Sequence, residues 1–174
     1  MYKLKQYLPA GWQFRLPTEE EWEKAARGGF SWPDQPVVHS ISEGKNFPNI
    51  TSKSLRDDKD NKRIYPWGDA PDPNRANYDE TGINATSALG CFPGGKSPYG
   101  CEEMSGNVWE WCQTKWRGNY KQNPNGDPEG TDTRVLRGGS YFGYYRGVRC
   151  ACRSWNDPDH RNDLIGFRIV LSPF

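Results

Sequence analysis

The sequence predicts one small domain that mixes a helix with a few short strands and has little regular secondary structure. Two observations lead there. First, the 174 residues carry 8 Trp, 9 Tyr and 7 Phe against 19 Gly and 14 Pro, with few aliphatics. Such a chain has an aromatic-centred core among loops shaped by Gly and Pro, not long Leu-rich helices. Second, only one stretch has clear helical periodicity, and the strand-like stretches are short. The length suits a single domain over 1–174, large enough to bury a core.

Taken in order, the N-terminus Met1-Tyr2-Lys3-Leu4-Lys5-Gln6 has no apolar targeting segment. The helix is predicted from Thr18 to Arg27. Thr18 is a good N-cap, and Glu21 completes a capping box. Glu19, Glu20 and Glu21 face the positive end of the dipole, and Lys24 and Arg27 the negative end. Gly28-Gly29 stops the helix, and Trp22, Ala25 and Ala26 form its apolar stripe. Residues 30–62 carry no periodicity. The run Arg56-Asp57-Asp58-Lys59-Asp60-Asn61-Lys62-Arg63 reads as a solvated loop; it lacks the Gly and terminal Glu of a calcium loop. Asn49-Ile50-Thr51 and Asn84-Ala85-Thr86 fit glycosylation sequons, which carry little weight without secretory signals. From Tyr65 the chain is turn-dense, and strands are predicted at 107–111, 135–137 and 167–171. No internal repeat or low-complexity tract is present.

Several function classes drop out. No apolar run reaches membrane-spanning length, which argues against membrane insertion by this chain. A formal net charge of +1 argues against a nucleic-acid binder that relies on bulk charge. Five cysteines cannot all pair, so a reducing, cytoplasmic setting is the default. There is no Gly-rich phosphate loop opening a helix and no Ser–His–acid motif, and His39 and His160 form no ligand pattern. Trp155-Asn156-Asp157 mimics a calcium-lectin word but lacks its upstream partner motif.

Several words in fixed order then carry a resemblance. They are Phe14-Arg15-Leu16-Pro17-Thr18-Glu19 with Glu21-Trp22-Glu23, Ala25-Ala26-Arg27-Gly28-Gly29, Tyr65-Pro66-Trp67-Gly68, Ser105-Gly106-Asn107-Val108-Trp109-Glu110-Trp111, Arg137-Gly138-Gly139-Ser140 and Gly166-Phe167-Arg168. Over residues 11–170 the chain resembles the formylglycine-generating-enzyme/sulfatase-modifying-factor domain. The resemblance implies an α+β, C-type-lectin-like fold with short antiparallel strands and one or two helices. It also implies that Trp22, Trp67, Trp109 and Trp111, which sit in these words, belong to the scaffold, with Trp109 in the core. Members usually carry an additional N-terminal portion, and an uncovered sheet edge would invite pairing.

The enzymes of that family oxidise a substrate cysteine with copper held by two cysteines. The resemblance places those cysteines shortly after Arg137-Gly138-Gly139-Ser140, where this chain reads Tyr141-Phe142-Gly143-Tyr144-Tyr145-Arg146-Gly147-Val148-Arg149, without cysteine. No catalytic residue is therefore assigned, and the chain is read as a non-enzyme. Cys150 and Cys152 form a C-x-C pair that could hold a soft metal; the alternative is that they are partly buried small residues, and within the variable region they read as exposed, incidental outcomes of variation. The resemblance further marks Asn107 and Glu110 as positions that bind a structural calcium in the family. The alternative is that Asn107 caps a turn and Glu110 pairs with an arginine. No cofactor is required on this reading.

Residues 135–170 resemble the variable region of diversity-generating retroelement proteins, a non-enzymatic branch with the same fold. The frame is Val135-Leu136-Arg137-Gly138-Gly139-Ser140, Arg149, Ala151, Arg153, Pro158-Asp159, Arg161 and Ile165-Gly166-Phe167-Arg168-Ile169-Val170. In that system template adenines are randomised. An AAC or AAT codon so treated cannot yield Lys, Glu, Gln, Met, Trp or a stop. From 141 to 165 the chain contains no Lys, Glu, Gln or Met; Trp155 requires a different template codon. The resemblance therefore implies a ligand-binding surface of Phe142, Gly143, Tyr144, Gly147, Cys152, Ser154, Trp155, Asn156, Asp157, His160, Asn162, Asp163 and Leu164. Tyr144 and Trp155 are its expected anchors, because aromatics dominate hot spots. Stiff aromatic rings plus small polar groups resemble antibody paratope chemistry, which implies a macromolecular ligand, a protein rather than a nucleic acid. Arg149, Arg153 and Arg161 are expected beneath or beside this face, tying loop carbonyls. The competing reading is an oxidase or related enzyme of the family.

Overall fold

The structure, a computed structural model, describes residues 8, 10–33, 55–57, 62–119 and 130–173. His39, the sequon at Asn49 and residues 58–61 of the charged run lie outside these. Strand β1 (Trp12–Arg15) leads through Leu16-Pro17 into helix α1 (Glu19–Arg27). The helix follows its local signals. The Thr18 hydroxyl accepts from the Glu21 amide at 3.2 Å, and the Glu21 carboxylate accepts from the Thr18 amide at 2.9 Å. Gly28 closes the helix with φ of 106°, its amide donating to the Lys24 carbonyl at 2.8 Å.

Strands β2 (Ser31–Pro33) and β3 (Leu55–Asp57) form an antiparallel pair within a stretch that has no periodicity in sequence. After two short 3₁₀ turns comes β4 (Trp109–Lys115), then β5 (Arg134–Arg137), β6 (Arg153–Asn156), β7 (Ile165–Gly166) and β8 (Val170–Pro173). The main sheet has the order β6-β5-β4-β7, and β1 pairs with β8 in a separate two-stranded sheet. The expectation of antiparallel strands holds for β4–β5, β5–β6 and β1–β8. It fails for β4–β7, which is parallel, because β7 is reached by a long excursion from the opposite edge of the sheet.

The strand expected at 107–111 is displaced to Trp109–Lys115. Asn107 has φ of 61°, a turn conformation that cannot continue a strand. Of the strand expected at 167–171 only Val170 and Leu171 are strand, at the start of β8; residues 167–169 are irregular and separate it from β7. The interruption has a cause: Arg168 turns inward, and its guanidinium makes a two-point pair with Glu110 at 2.5 and 2.7 Å. Phe167 and Ile169 are left facing solvent, 69% and 47% exposed.

Along β4 burial alternates, with Glu110, Cys112 and Thr114 inward. Trp109 and Trp111 therefore fall on the other row and are only half-buried, which corrects the expectation that Trp109 is core. The tryptophan in the core is Trp22, at 1% exposure, among Ala26, Met104, Cys112, Val135 and Cys150. Its indole donates to Glu110 at 2.6 Å. A second cluster holds Tyr65, Ala76, Tyr78 and Val148, with the half-buried Trp67 stacked on Tyr65 at 5.3 Å. Replacing Trp22 by Ala should cost about 3–5 kcal/mol in a denaturant titration, the range for a deleted core aromatic. Trp109→Ala should cost clearly less; equal losses would mean that both rings carry the core.

Candidate ligand-binding surface

The segment that follows β5 turns on two glycines. Gly139 has φ of 77°, and a Cβ there would stand 2.6 Å from the Gly147 carbonyl oxygen and 2.7 Å from Val148. Only glycine lets the returning chain approach so closely. Residues 141–150 are then held by their backbone groups. The Tyr141 amide donates to the Asn107 carbonyl at 2.9 Å, and the Gly143 carbonyl accepts from the Asp79 amide at 3.0 Å. The Tyr145 amide donates to both Glu80 oxygens at 3.2 Å, and its carbonyl accepts from the Tyr65 hydroxyl at 3.0 Å. The Val148 carbonyl accepts from Ser105 Oγ at 2.5 Å, and the Cys150 amide donates to the Ile64 carbonyl at 2.8 Å.

None of these bonds uses a side chain at 142, 143, 144 or 147. Phe142 and Tyr144 point into solvent, 70% and 69% exposed. The loop's shape is thus fixed by residues outside it, while its projecting side chains are free of folding duties.

The second half is organised differently. Residues 153–156 lie in β6, at the edge of the main sheet, where Trp155 opposes Val135 and is 50% exposed. Its ring contact is with Trp116 at 6.5 Å, not with the 141–147 loop. Beyond β6, polar side chains support the turns themselves. The Asn156 side chain accepts from the Asp157 amide at 3.0 Å, and that of Asn162 from the Leu164 amide at 3.0 Å. The two halves meet where the Tyr141 hydroxyl donates to Asp163 Oδ2 at 3.1 Å. The Trp109 amide donates to the Leu164 carbonyl at 2.8 Å, so both ends of the segment are anchored on the turn at 107–109.

Of the residues expected at the surface, Phe142, Tyr144, Trp155, Asp157, His160, Asn162 and Asp163 are exposed. Gly143, Gly147, Cys152, Ser154, Asn156 and Leu164 are half-buried, and none is buried. Of the flanking arginines, Arg149 makes the expected tie and the expectation for Arg153 needs correction. Arg149 ties a carbonyl, that of Arg146 at 2.8 Å, but is itself exposed. Arg153 goes mainly to a carboxylate: Nε and Nη2 lie 2.5 and 2.8 Å from Glu19. Arg161 is exposed. The buried arginine that holds a loop carbonyl is Arg137, which donates to the Cys152 carbonyl at 2.7 Å. Glu80, Tyr65 and Ser105 were not legible as supports, because their partners are backbone groups far away in sequence.

Cys150 is not exposed but fully buried, beside Trp22 and Ala26. Burial pushes its thiol up to about 12 and raises that of Cys152 as well. Both shifts oppose the thiolate that a soft metal or a redox centre needs. Asn107 and Glu110 also have other partners. The Asn107 side-chain oxygen accepts from the Ser87 amide at 2.9 Å, whereas the Glu110 carboxylate is held by Trp22 and Arg168. The two side chains share no partner, and a calcium ion would have to displace a guanidinium. The residues present therefore do not fit the cation; of the alternative, the pairing of Glu110 with an arginine is found, whereas the Asn107 side chain, instead of capping its own turn, bonds to the distant Ser87 and Asn77. Among the described residues no group of three or more His, Cys, Asp or Glu is placed to hold a metal ion.

Comparison with known proteins bears on this scaffold. The family model described as the sulfatase-modifying factor enzyme 1-like domain matches residues 3–173. The formylglycine-generating enzyme of Streptomyces coelicolor is 36% identical over 170 residues, covering 90% of this chain and 46% of that protein. The mouse protein called inactive C-alpha-formylglycine-generating enzyme 2 is 32% identical over 173 residues, covering 91% of this chain and 43% of its own length. The chain thus spans less than half the length of these two relatives. Among solved structures, Treponema denticola variable protein 1 matches with a TM-score of 0.57 and 27% identity, over 92% of this chain and 48% of that one. PvdO from Pseudomonas aeruginosa matches with a TM-score of 0.62 and 25% identity, over 99% and 56%.

The thiols give a direct check. At pH 8 a thiol reagent should label the exposed Cys91 in the native protein and leave Cys112 and Cys150 unreacted until denaturant is added. A thiol that ionises at lower pH unfolded than folded withdraws stability as pH rises. From about pH 9 towards 12, Cys150 should therefore contribute a loss of ~1.4 kcal/mol per pH unit, and Cys150→Ala should make the measured slope shallower. An unchanged slope would contradict the burial.

Proposed function

The chain belongs to the family of sulfatase-modifying factor enzyme 1-like domains, and on that premise we propose that it is a diversified ligand-binding protein of the retroelement type, not an enzyme. The observation that carries the reading is the division of labour in the 141–150 loop. Fixed residues elsewhere hold its backbone, and the side chains at 142 and 144 are left to solvent. An antibody loop makes the same separation between frame and contact surface. Similarity to a variable protein supports the reading at the level of the scaffold. So does the cysteine-free stretch at 141–149, where the resemblance places the copper ligands of the enzymes. On this reading the contact surface comprises the positions from Phe142 to Leu164 named above. Phe142, Tyr144 and Trp155 supply its large apolar contacts, and its partner is a protein.

Three measurements test this. The neighbouring DNA should contain a near-copy of the segment encoding residues 135–170 that differs only at adenines, beside a reverse transcriptase; its absence would remove the retroelement part of the reading. A library randomised at the named positions should yield binders to a chosen protein. In such a binder, changing the aromatic residues selected at 142 and 144 to Ser should abolish binding while stability moves by no more than about 0.5 kcal/mol per site. Turnover of a cysteine-containing peptide with copper would overturn the proposal in favour of the oxidase.

A further inference from the structure

We propose that Glu80 is a positioning residue for the 141–147 loop: from a turn outside the diversified segment, its carboxylate sets the shape in which residues 142 and 144 are presented. The inference rests on the binding reading above and adds a residue that no sequence pattern marks. Both Glu80 oxygens lie 3.2 Å from the Tyr145 amide nitrogen, so the bond is charge-assisted and takes a backbone group that exists whatever side chain stands at 145.

The turn that carries Glu80 is itself fixed. Asp79–Thr81 is a 3₁₀ turn that follows the buried Tyr78. The Gly82 amide, at φ of 75°, donates to the Asp79 carbonyl at 3.0 Å. The Thr81 hydroxyl donates to the Ala76 carbonyl at 2.7 Å and accepts from the Tyr78 amide at 3.1 Å. Next to Glu80, the Asp79 amide holds the Gly143 carbonyl. The turn therefore grips the loop on either side of Tyr144, once by backbone and once by side chain. Of these two grips the Glu80 carboxylate is the one that a side-chain substitution removes; the Asp79 amide is lost only with proline. The remaining side-chain supports from outside, the Tyr65 hydroxyl and the Ser105 hydroxyl, act at Tyr145 and Val148, on the far side of Tyr144 from Phe142; on the near side the support is the backbone bond from the Tyr141 amide to the Asn107 carbonyl.

The test uses the full chain in two arms. In the first, amide hydrogen exchange is followed on the protein without any partner. Glu80→Ala should speed exchange at Tyr145 at least about tenfold, as loss of one ordering charge-assisted bond implies, with an unchanged melting temperature. Glu80→Gln, which keeps an acceptor oxygen, should recover most of the protection. In the second, two library variants are selected, one against lysozyme and one against streptavidin. Glu80→Ala should weaken both by a similar factor, about tenfold, and Glu80→Gln should largely restore both. Unchanged Tyr145 exchange in Glu80→Ala would overturn the proposal. So would a loss confined to one partner, which would mean that Glu80 touches that partner directly. If no binder can be selected at all, the ligand-binding reading fails, while the exchange arm still decides the positioning role.

Discussion

The arrangement of the molecule depends on a charged cluster at the start of α1. Glu19 is 2% exposed and Arg137 is fully buried. The Glu19 carboxylate takes two bonds from Arg153, and Arg137 reaches Glu23 at 2.5 Å one turn further along the helix. The Arg137 guanidinium also lies over the Trp22 ring at 5.2 Å, and Arg153 lies over Trp116 at 4.4 Å. One helical turn is thereby tied to the neighbouring strands β5 and β6. Burying such charges costs several kcal/mol per ion, and their mutual attraction offsets this only when the geometry is good. The return is therefore in specificity: a register slip in β5 or β6 would move an arginine away from the carboxylate and leave the charges unpaired.

A second buried carboxylate works the same way on the interior strand β4. Glu110 receives the Trp22 indole and the Arg168 guanidinium, and Arg168 also donates to the Glu102 and Glu103 carbonyls at 3.1 Å. Both clusters meet at Trp22, whose indole N–H serves one carboxylate while its ring faces the arginine of the other. The core is small, and these polar contacts around one aromatic ring stand in for the aliphatic mass that the composition lacks.

The parts of this arrangement that were legible in sequence are local ones. The capping box at Thr18 and Glu21, the stop at Gly28 and the stripe led by Trp22 each need only neighbours within a turn, and all are found. Apart from the start of β4, which the local turn at Asn107 displaces, the failures are long-range. Nothing near Phe167-Arg168-Ile169 announces that Arg168 will leave the strand, because its partner is 58 residues away. Trp109 and Trp111 sit in a family word, but which row of a strand faces the core depends on the sheet, and here that row is Glu110, Cys112 and Thr114. Cys150 and Cys152 differ in burial although they are two residues apart, because Cys150 faces Trp22 and Ala26 whereas Cys152 gives its carbonyl to Arg137. None of the positions expected at the candidate surface is buried, but the supports that shape the 141–147 loop were not legible, because they come from residues far away in sequence.

That division has a consequence for how far the surface can vary. In the 141–147 loop the bonds that fix the backbone come from Asn107, Asp79, Glu80 and Tyr65, so substitution at 142 or 144 removes none of them. In the 156–164 stretch, by contrast, Asn156 and Asn162 hold their own turns, and Asp163 receives the Tyr141 hydroxyl. A short polar side chain that bonds to nearby amides is part of the turn it occupies. Substitution there removes bonds that shape the turns, whereas substitution at 142 or 144 leaves the first loop's backbone bonds in place. The two stretches therefore differ in how their shape is held, and the edge they share is the turn at 107–109, where the two ends of the segment are fastened to the same strand entry.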